Sequence, residues 1–171
     1  MAGVSGTLTS VVISMLTSTA NGANVRIGAM VENDPTLQAV GVRTIVAMNA
    51  SVDISEQTGY VQYPLMLVYC DKLANTLKEK FRQFSGTAHM VVEARYSQDK
   101  LANLQTNAEV YADAICALLD DSRGDWGSGC FYSGGYEVSY APVVRGGNNF
   151  LQVEGGIRRA GQPVRREAAL G

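Results

Sequence analysis

Two stretches of the chain place their apolar residues on one face of a helix. The first is residues 6–20, with Ser5 or Thr7 able to cap it and Asn21-Gly22 able to end it. The second gives the clearest pattern in the sequence and runs from residue 99 to about residue 120, with apolar residues alternately three and four positions apart. Each stretch has one apolar stripe and one polar face, which predicts two amphipathic helices that pack across a sheet.

A third helix is predicted over residues 71–84. Four large apolar side chains share one face of it, and the dipeptide Ser85-Gly86 follows as a stop signal. These apolar residues are Leu73, Leu77, Phe81 and Phe84. The charged side chains of the segment lie away from that face, so the pattern favours a helix with one buried side.

Alternation of apolar and polar residues predicts strands between the helices. Residues 42–53 and 88–97 alternate at period two, and residues 63–70 form a continuous apolar run typical of a central strand. Residues 23–41 show little periodicity, so we expect mostly irregular structure there, with a short strand at residues 25–30.

Two further strands, residues 131–144 and 149–153, flank the sequence RGGNN and predict a hairpin. Tyr136, Val138 and Tyr140 are expected on its packed face, with Glu137 and Ser139 on the other. The glycines of residues 124–135 are expected to form tight turns.

The order of these elements predicts an α+β fold. Strands separated by single helices, with a final antiparallel pair, favour a mixed, mostly antiparallel sheet with two or three helices on one face. We expect residues 1–156 to form one domain. Residues 157–171 show no period and are expected to be an extended C-terminal arm without regular structure.

The charge is unevenly distributed along the 171 residues. Residues 1–141 contain 9 Lys and Arg against 14 Asp and Glu, whereas residues 142–171 contain 5 Arg against 2 Glu. An acidic body argues against nucleic-acid binding over the main surface. The three cysteines lack paired spacing, and the apolar N-terminal stretch has no basic region and is broken by Ser and Thr. We therefore expect reduced thiols, no membrane span, and folding in a cytoplasm.

The sequence nominates no catalytic, cofactor-binding or metal-binding residue. The only histidine, His89, falls inside a predicted strand, and a zinc site would lack paired short ligand spacings. No lysine follows Lys100, which excludes a P-loop, and the glycines of residues 124–135 precede a strand where a dinucleotide loop precedes a helix. Asp120, Asp121 and Asp125 lack the glutamate that completes a calcium loop. We expect a protein that is not an enzyme and needs no cofactor.

Residues 60–156 resemble the tail terminator, or tail completion, proteins of tailed bacteriophages, and more loosely other neck proteins of the head-to-tail connection. Five segments carry the resemblance in chain order: PLMLVYC, EKFRQFSG, HMVVEARYS followed by DKLANLQ, EVYADAICALL, and GGYEVSYAPVVRGGNNFLQV. The resemblance implies a structural virion protein that forms a ring, commonly a hexamer, which caps the tail tube and joins it to the head. It also implies assembly in the host bacterial cytoplasm, and DNA passing through the lumen without specific binding.

The resemblance also implies partners and contact surfaces. The partners are other copies of the chain, the tail tube protein, and a head-to-tail connector or stopper protein. We expect contacts through the hairpin tip and through the arginines of the C-terminal arm, whose guanidinium groups suit interfacial carboxylates. The tip residues are Arg145, Gly146, Gly147, Asn148 and Asn149, and the arm residues are Arg158, Arg159, Arg165 and Arg166.

Two alternatives stay open at the level of sequence. Within the same class, the chain could be a head completion or stopper protein. From a different class, it could be a small α+β ligand-binding domain or enzyme that uses the Gly-rich residues 124–135. For the contact surfaces, the plain alternatives are an exposed hairpin loop without a partner and a solvated terminus.

Overall fold

A computed structural model describes residues 3–39, 41–47, 64–75, 86–97, 104–144 and 151–160. These residues form three helices and seven strands. The helices are α1 (Val4–Leu16), α2 (Ala23–Asn33) and α3 (Leu104–Asp121). The strands are β1 (Thr44–Ala47), β2 (Leu65–Asn75), β3 (Gly86–Ser97), β4 (Gly124–Asp125), β5 (Phe131–Tyr132), β6 (Glu137–Val144) and β7 (Leu151–Ala160).

Five of these strands form one mixed sheet in the order β1-β2-β3-β7-β6. Strand β1 pairs in parallel with β2, and the other three pairings are antiparallel. Strands β4 and β5 form a separate two-stranded hairpin. The predicted α+β class with a mixed, mostly antiparallel sheet is confirmed.

The main core lies between the three helices and one face of the sheet. Helix α1 contributes apolar residues four positions apart, Leu8, Val12 and Leu16, and α3 contributes Tyr111 and Ile115 from its predicted stripe. The alternate residues of β2 and β3 that face the helices complete the core. They are Met66, Val68, Ala88, Met90, Val92 and Ala94.

Part of the opposite face of β2 and β3 is also buried. Leu67 and Val91 lie there, together with the charged pair Glu93 and Arg95, whose side chains form an ion pair. The Tyr69 hydroxyl donates a hydrogen bond of 3.2 Å to Glu93 Oε2. Such a buried pair is stable only while both partners are present, because an isolated charge would lose its hydration without compensation.

The short strand predicted at residues 25–30 is wrong, because this segment lies within helix α2. Ala23 and Ile27, four residues apart, are buried in the core, whereas Val25 is 43% exposed. In a strand Ala23, Val25 and Ile27 would share one face, whereas a helix places Ala23 and Ile27 on one side and turns Val25 away from it. Asn24 then fixes the helix to the chain before β1: its Nδ2 donates to the Val42 carbonyl at 2.9 Å, and its Oδ1 accepts from the Val42 N–H at 2.6 Å.

The helix predicted at residues 71–84 is wrong for its first five residues, which continue strand β2. After a bulge between Cys70 and Lys72, β2 pairs with β3 as far as Asn75 opposite Gly86. A helix at this point would leave the backbone groups at the start of β3 without these partners, so ladder pairing outweighs the helical spacing. Leu73, placed on the buried face of the predicted helix, is 44% exposed. Residues 76–84 lie outside the described residues.

The boundaries of the first helix also differ from the prediction. Helix α1 starts after Gly3, which makes no side-chain capping bond, and ends at Leu16 instead of residue 20. Thr7, expected as a cap, lies inside the first turn, where its hydroxyl donates to the Gly3 carbonyl at 3.3 Å. Ser18 Oγ donates to Asn21 Oδ1 at 2.8 Å in the turn that leads to α2.

The C-terminal part of the sheet extends beyond the predicted strands. The segment predicted as one strand over residues 131–144 is divided into β5 and β6, with Gly134 at a positive φ of 96° between them. Strand β7 continues to Ala160, so the expected lack of regular structure is wrong for residues 157–160. Both β3 and β6 offer ladder partners to this stretch, which explains why it pairs. Residues 161–171 lie outside the described residues.

The remaining strands and the last helix agree with the prediction where they are described. Strands β1, β2 and β3 fall within or overlap the predicted 42–53, 63–70 and 88–97, and α3 covers most of the predicted 99–120. Residues 48–53 and 99–103 lie outside the described residues.

Candidate functional site

The residues predicted to contact partners belong to different parts of the sheet. Residues 145–149 lie outside the described residues, at the end of the hairpin where Val144 pairs with Leu151. Arg158 lies in β7 at the other end of the hairpin, seven residues from Leu151. A strand advances about 3.3 Å per residue, so Leu151 and Arg158 are roughly 23 Å apart along β7.

Arg158 and Arg159 are part of the sheet and not of a separate arm. In the strand register Arg158 lies between Val91 of β3 and Glu137 of β6, and Arg159 lies opposite Met90 of β3. Arg165 and Arg166 lie outside the described residues. Of the four arginines predicted in the arm, two therefore lie in strand β7 and two follow the last described residue.

The sheet ends in two different strands. Among the described residues, β1 pairs only with β2 and β6 pairs only with β7. Each edge strand exposes an apolar side chain: Val46 of β1 is 37% exposed and Tyr140 of β6 is 51% exposed. An edge strand with unpaired backbone groups and an exposed apolar side chain is a surface on which another strand can pair.

Tyrosines of the β6 segment lie against the polar side of helix α3. The Tyr136 hydroxyl donates to Asp120 Oδ2 at 3.1 Å, and Arg123 Nη2 contacts Asp120 Oδ1 at 2.6 Å. Burial, followed by the nearby Cys116 thiol and Asp120 carboxylate, raises the pKa of Tyr136 to about 12. Burial and then the carboxylates of Asp113 and Glu109 raise the pKa of Tyr140. Carboxylates of α3 therefore lie close enough to these two tyrosines to influence their ionisation.

The Gly-rich residues 124–135 include the β4–β5 hairpin, whose polar and aromatic groups contact the hairpin itself and the chain just after α3. Trp126 Nε1 donates to the Ser122 carbonyl at 2.6 Å, and the Trp126 and Tyr132 ring centroids are 5.3 Å apart. Asp125 Oδ1 accepts from the Gly127 N–H at 2.8 Å. Gly127 and its neighbours adopt positive φ, which confirms the prediction that these glycines form turns.

A groove of about 350 Å³ lies between helices α2 and α3. Its floor is apolar, and two carboxylates of α3, Glu109 and Asp113, line its edge. The complete lining is Met30, Asn33, Leu37, Thr106, Glu109, Val110 and Asp113. Thr106, Glu109 and Asp113 are exposed, so the groove opens on the side of α3 that faces away from the sheet.

The reactive side chains of the described residues do not converge. His89 Nδ1 pairs with the Asp71 carboxylate, and Cys70, Cys116 and Cys130 are free thiols. In the part of the chain that the structure describes, no three His, Cys, Asp or Glu side chains form a group that could hold a metal ion. None of the described helices has the length and hydrophobicity needed to cross a membrane.

Sequence reasoning missed the groove and the exposure of Tyr140. The groove depends on α2, and Met30 could have been placed on it only by recognising the helical spacing of Ala23, Ile27 and Met30. Tyr140 was expected on the packed face of the hairpin. Tyr136 and Val138 do pack against the core, but Tyr140, further along β6, is half exposed beside α3.

The chain matches no known protein-family model, and no curated protein is significantly similar to it in sequence. A functional interpretation therefore depends on the residues of the chain and on the resemblance described above.

Proposed function

We propose that this protein is a structural component of a tailed-phage virion: a tail terminator that forms a ring, caps the tail tube and joins it to the head. The observation that carries the proposal is that the sheet formed by the described residues has two different open edges, β1 and β6, each with an exposed apolar side chain. Two different edges on one subunit permit head-to-tail contacts, and such heterologous contacts generate a ring when the rotation between subunits closes.

The resemblance over residues 60–156 supports the same proposal from an independent direction. The Gly-rich hairpin supports a structural role as well: its Trp126 indole bonds to the Ser122 carbonyl just after α3, the Trp126 and Tyr132 rings are in contact, and Asp125 bonds to the turn. A ring of acidic subunits suits a channel through which DNA moves without being retained. The tube protein, a connector or stopper protein, and other copies of the chain are the partners that this function requires.

The proposal predicts that edge substitutions weaken self-association. In Tyr140→Asp, a charge replaces the exposed aromatic ring on β6, and we expect the ring species to be lost or the concentration needed for assembly to rise about tenfold. Phe131→Asp is the matched control, because Phe131 is equally exposed, at 51%, but lies on the separate β4–β5 hairpin. Light scattering coupled to size-exclusion chromatography, with and without purified tail tubes, measures the assembled mass.

Equal assembly of Tyr140→Asp and wild type would contradict the proposed role of the β6 edge. Loss of assembly in both variants would mean that any added surface charge prevents assembly. That result would also contradict a specific role of the β6 edge. Circular dichroism of each variant checks that the monomer fold is retained.

A further inference from the structure

We propose that the α2–α3 groove binds the C-terminal segment, residues 161–171, of a second copy of this chain. The inference rests on the proposed ring, since it names one of the contacts between neighbouring subunits. It combines three observations: the composition of the groove, the composition of the segment, and the position at which the described chain ends.

The groove and the segment are complementary in charge and in apolar character. Met30, Leu37 and Val110 give the groove an apolar floor, and Glu109 and Asp113 provide two carboxylates at its edge. The segment has the sequence GQPVRREAALG, in which two adjacent arginines follow a valine and precede a second apolar stretch. An arginine can cover apolar surface with its methylene stem while its guanidinium pairs with a carboxylate.

The end of helix α2 adds to the negative potential of the groove. Asn33, the last residue of α2, lines the groove, and no basic residue lies in the last turn of this helix. The carbonyl groups at a helix C-terminus carry a partial negative charge that favours a cation. The groove therefore combines two carboxylates with a helix end that attracts arginine.

The reach of the segment favours a neighbouring subunit over the same chain. The last described residue, Ala160, lies near the C-terminal end of α3, because Arg158 pairs with Glu137, and the adjacent Tyr136 bonds to Asp120. The α3 residues of the groove precede Asp121 by 8 to 15 positions, which is roughly 12–22 Å of helix.

Arg165 follows Ala160 by only five residues, a span of at most about 18 Å. A segment that bound its own groove would also have to pass around α3, which is about 10 Å across. The groove of the same chain thus lies at or beyond the limit of this reach. A neighbouring subunit can present its segment to the groove without crossing α3.

A direct test measures binding of a fluorescent peptide with the sequence of residues 161–171. The receptor is the full-length chain carrying Arg165→Ala and Arg166→Ala, so that its own segment does not compete. Fluorescence anisotropy should show saturable binding that weakens with salt. Adding Asp113→Lys to the receptor should weaken binding about tenfold. Glu32→Lys is the matched control, because this exposed residue of α2 has the same charge change outside the groove, and it should weaken binding clearly less than Asp113→Lys does.

A charge-swapped peptide separates a direct contact from a structural effect of the substitution. A peptide with both arginines replaced by glutamate should bind the Asp113→Lys receptor more tightly than the parent receptor. No binding by the wild-type peptide, or equal weakening by Asp113→Lys and Glu32→Lys, would overturn the inference.

Mixed cysteine variants test whether the occupant comes from a second copy. Chains with Asp113→Cys are mixed with chains with Arg166→Cys, and we expect a disulfide-linked dimer on non-reducing gels in excess of either variant alone. If a chain with both substitutions instead links only internally, the second-copy assignment is wrong. If the protein forms rings but the peptide does not bind, the groove inference is wrong and the ring proposal stands. If the peptide binds but no rings form, the ring proposal is wrong and the groove remains a binding site for residues 161–171.

Discussion

Gly28 and Gly22 lie at the middle and the start of helix α2, and a methyl group would meet different surroundings at each. A Cβ at Gly28 would have no heavy atom within 4 Å. A Cβ at Gly22 would lie 2.6 Å from the Leu16 carbonyl oxygen, in the turn that joins α1 to α2. The α1–α2 turn therefore requires a residue without a side chain at Gly22, whereas α2 has room for one at Gly28.

We expect Gly28→Ala to raise the free energy of unfolding by about 0.5–1 kcal/mol, because alanine restricts the unfolded chain and favours the helix. Gly22→Ala should lower it, since the backbone of the α1–α2 turn would have to move to accept the methyl group. Urea unfolding followed by circular dichroism measures both. A stabilised Gly22→Ala, or a destabilised Gly28→Ala, would contradict this packing of α2.

At the scale of elements, the spacing of apolar residues predicted where the long helices and strands lie. It did not predict which segments pair as strands although their spacing is helical. Helix α3 and strands β2 and β3 follow from the spacing of apolar residues, since that spacing reflects the face that each buries. The segment around Leu73 has helical spacing and is nevertheless a strand, because it pairs with β3. Such pairing joins residues distant in sequence, which local patterns do not contain.

The buried pair Glu93–Arg95 gives a prediction for the sheet face opposite the helices. Arg95→Met leaves the Glu93 carboxylate buried without its charged partner, and we expect a loss of about 3–5 kcal/mol in stability. The double variant Glu93→Gln with Arg95→Met should recover part of that loss, because no unpaired charge is buried.

A double-mutant cycle by chemical unfolding measures the coupling between these two residues. Additive changes in the free energy of unfolding would mean that the Glu93–Arg95 ion pair does not itself stabilise the sheet face opposite the helices. Glu109→Gln serves as a control for removing a carboxylate at an exposed position, and there we expect a change within about 0.5 kcal/mol.

At the scale of the whole molecule, the proposed assembly depends on the two edges that are open among the described residues of the sheet. The sequence predicted a sheet of the correct class, but the order β1-β2-β3-β7-β6, and with it the identity of the edge strands, became visible only in the structure. The predicted contacts were placed at a hairpin tip and a terminal arm. The structure places Arg158 and Arg159 in β7 and β1 and β6 at the described edges, while the tip residues 145–149 lie outside the described residues.

Contact between the β1 edge of one subunit and the β6 edge of the next is the central claim, and crosslinking between two single-cysteine variants tests it most directly. Val46→Cys and Tyr140→Cys chains are mixed under assembly conditions and treated with a short thiol-specific crosslinker, with each variant alone and the wild type as controls for the native cysteines. The account predicts a heterodimeric product in the mixture that exceeds the product of either variant alone. Equal crosslinking in all samples, although rings are present by light scattering, would show that the subunits associate through other surfaces.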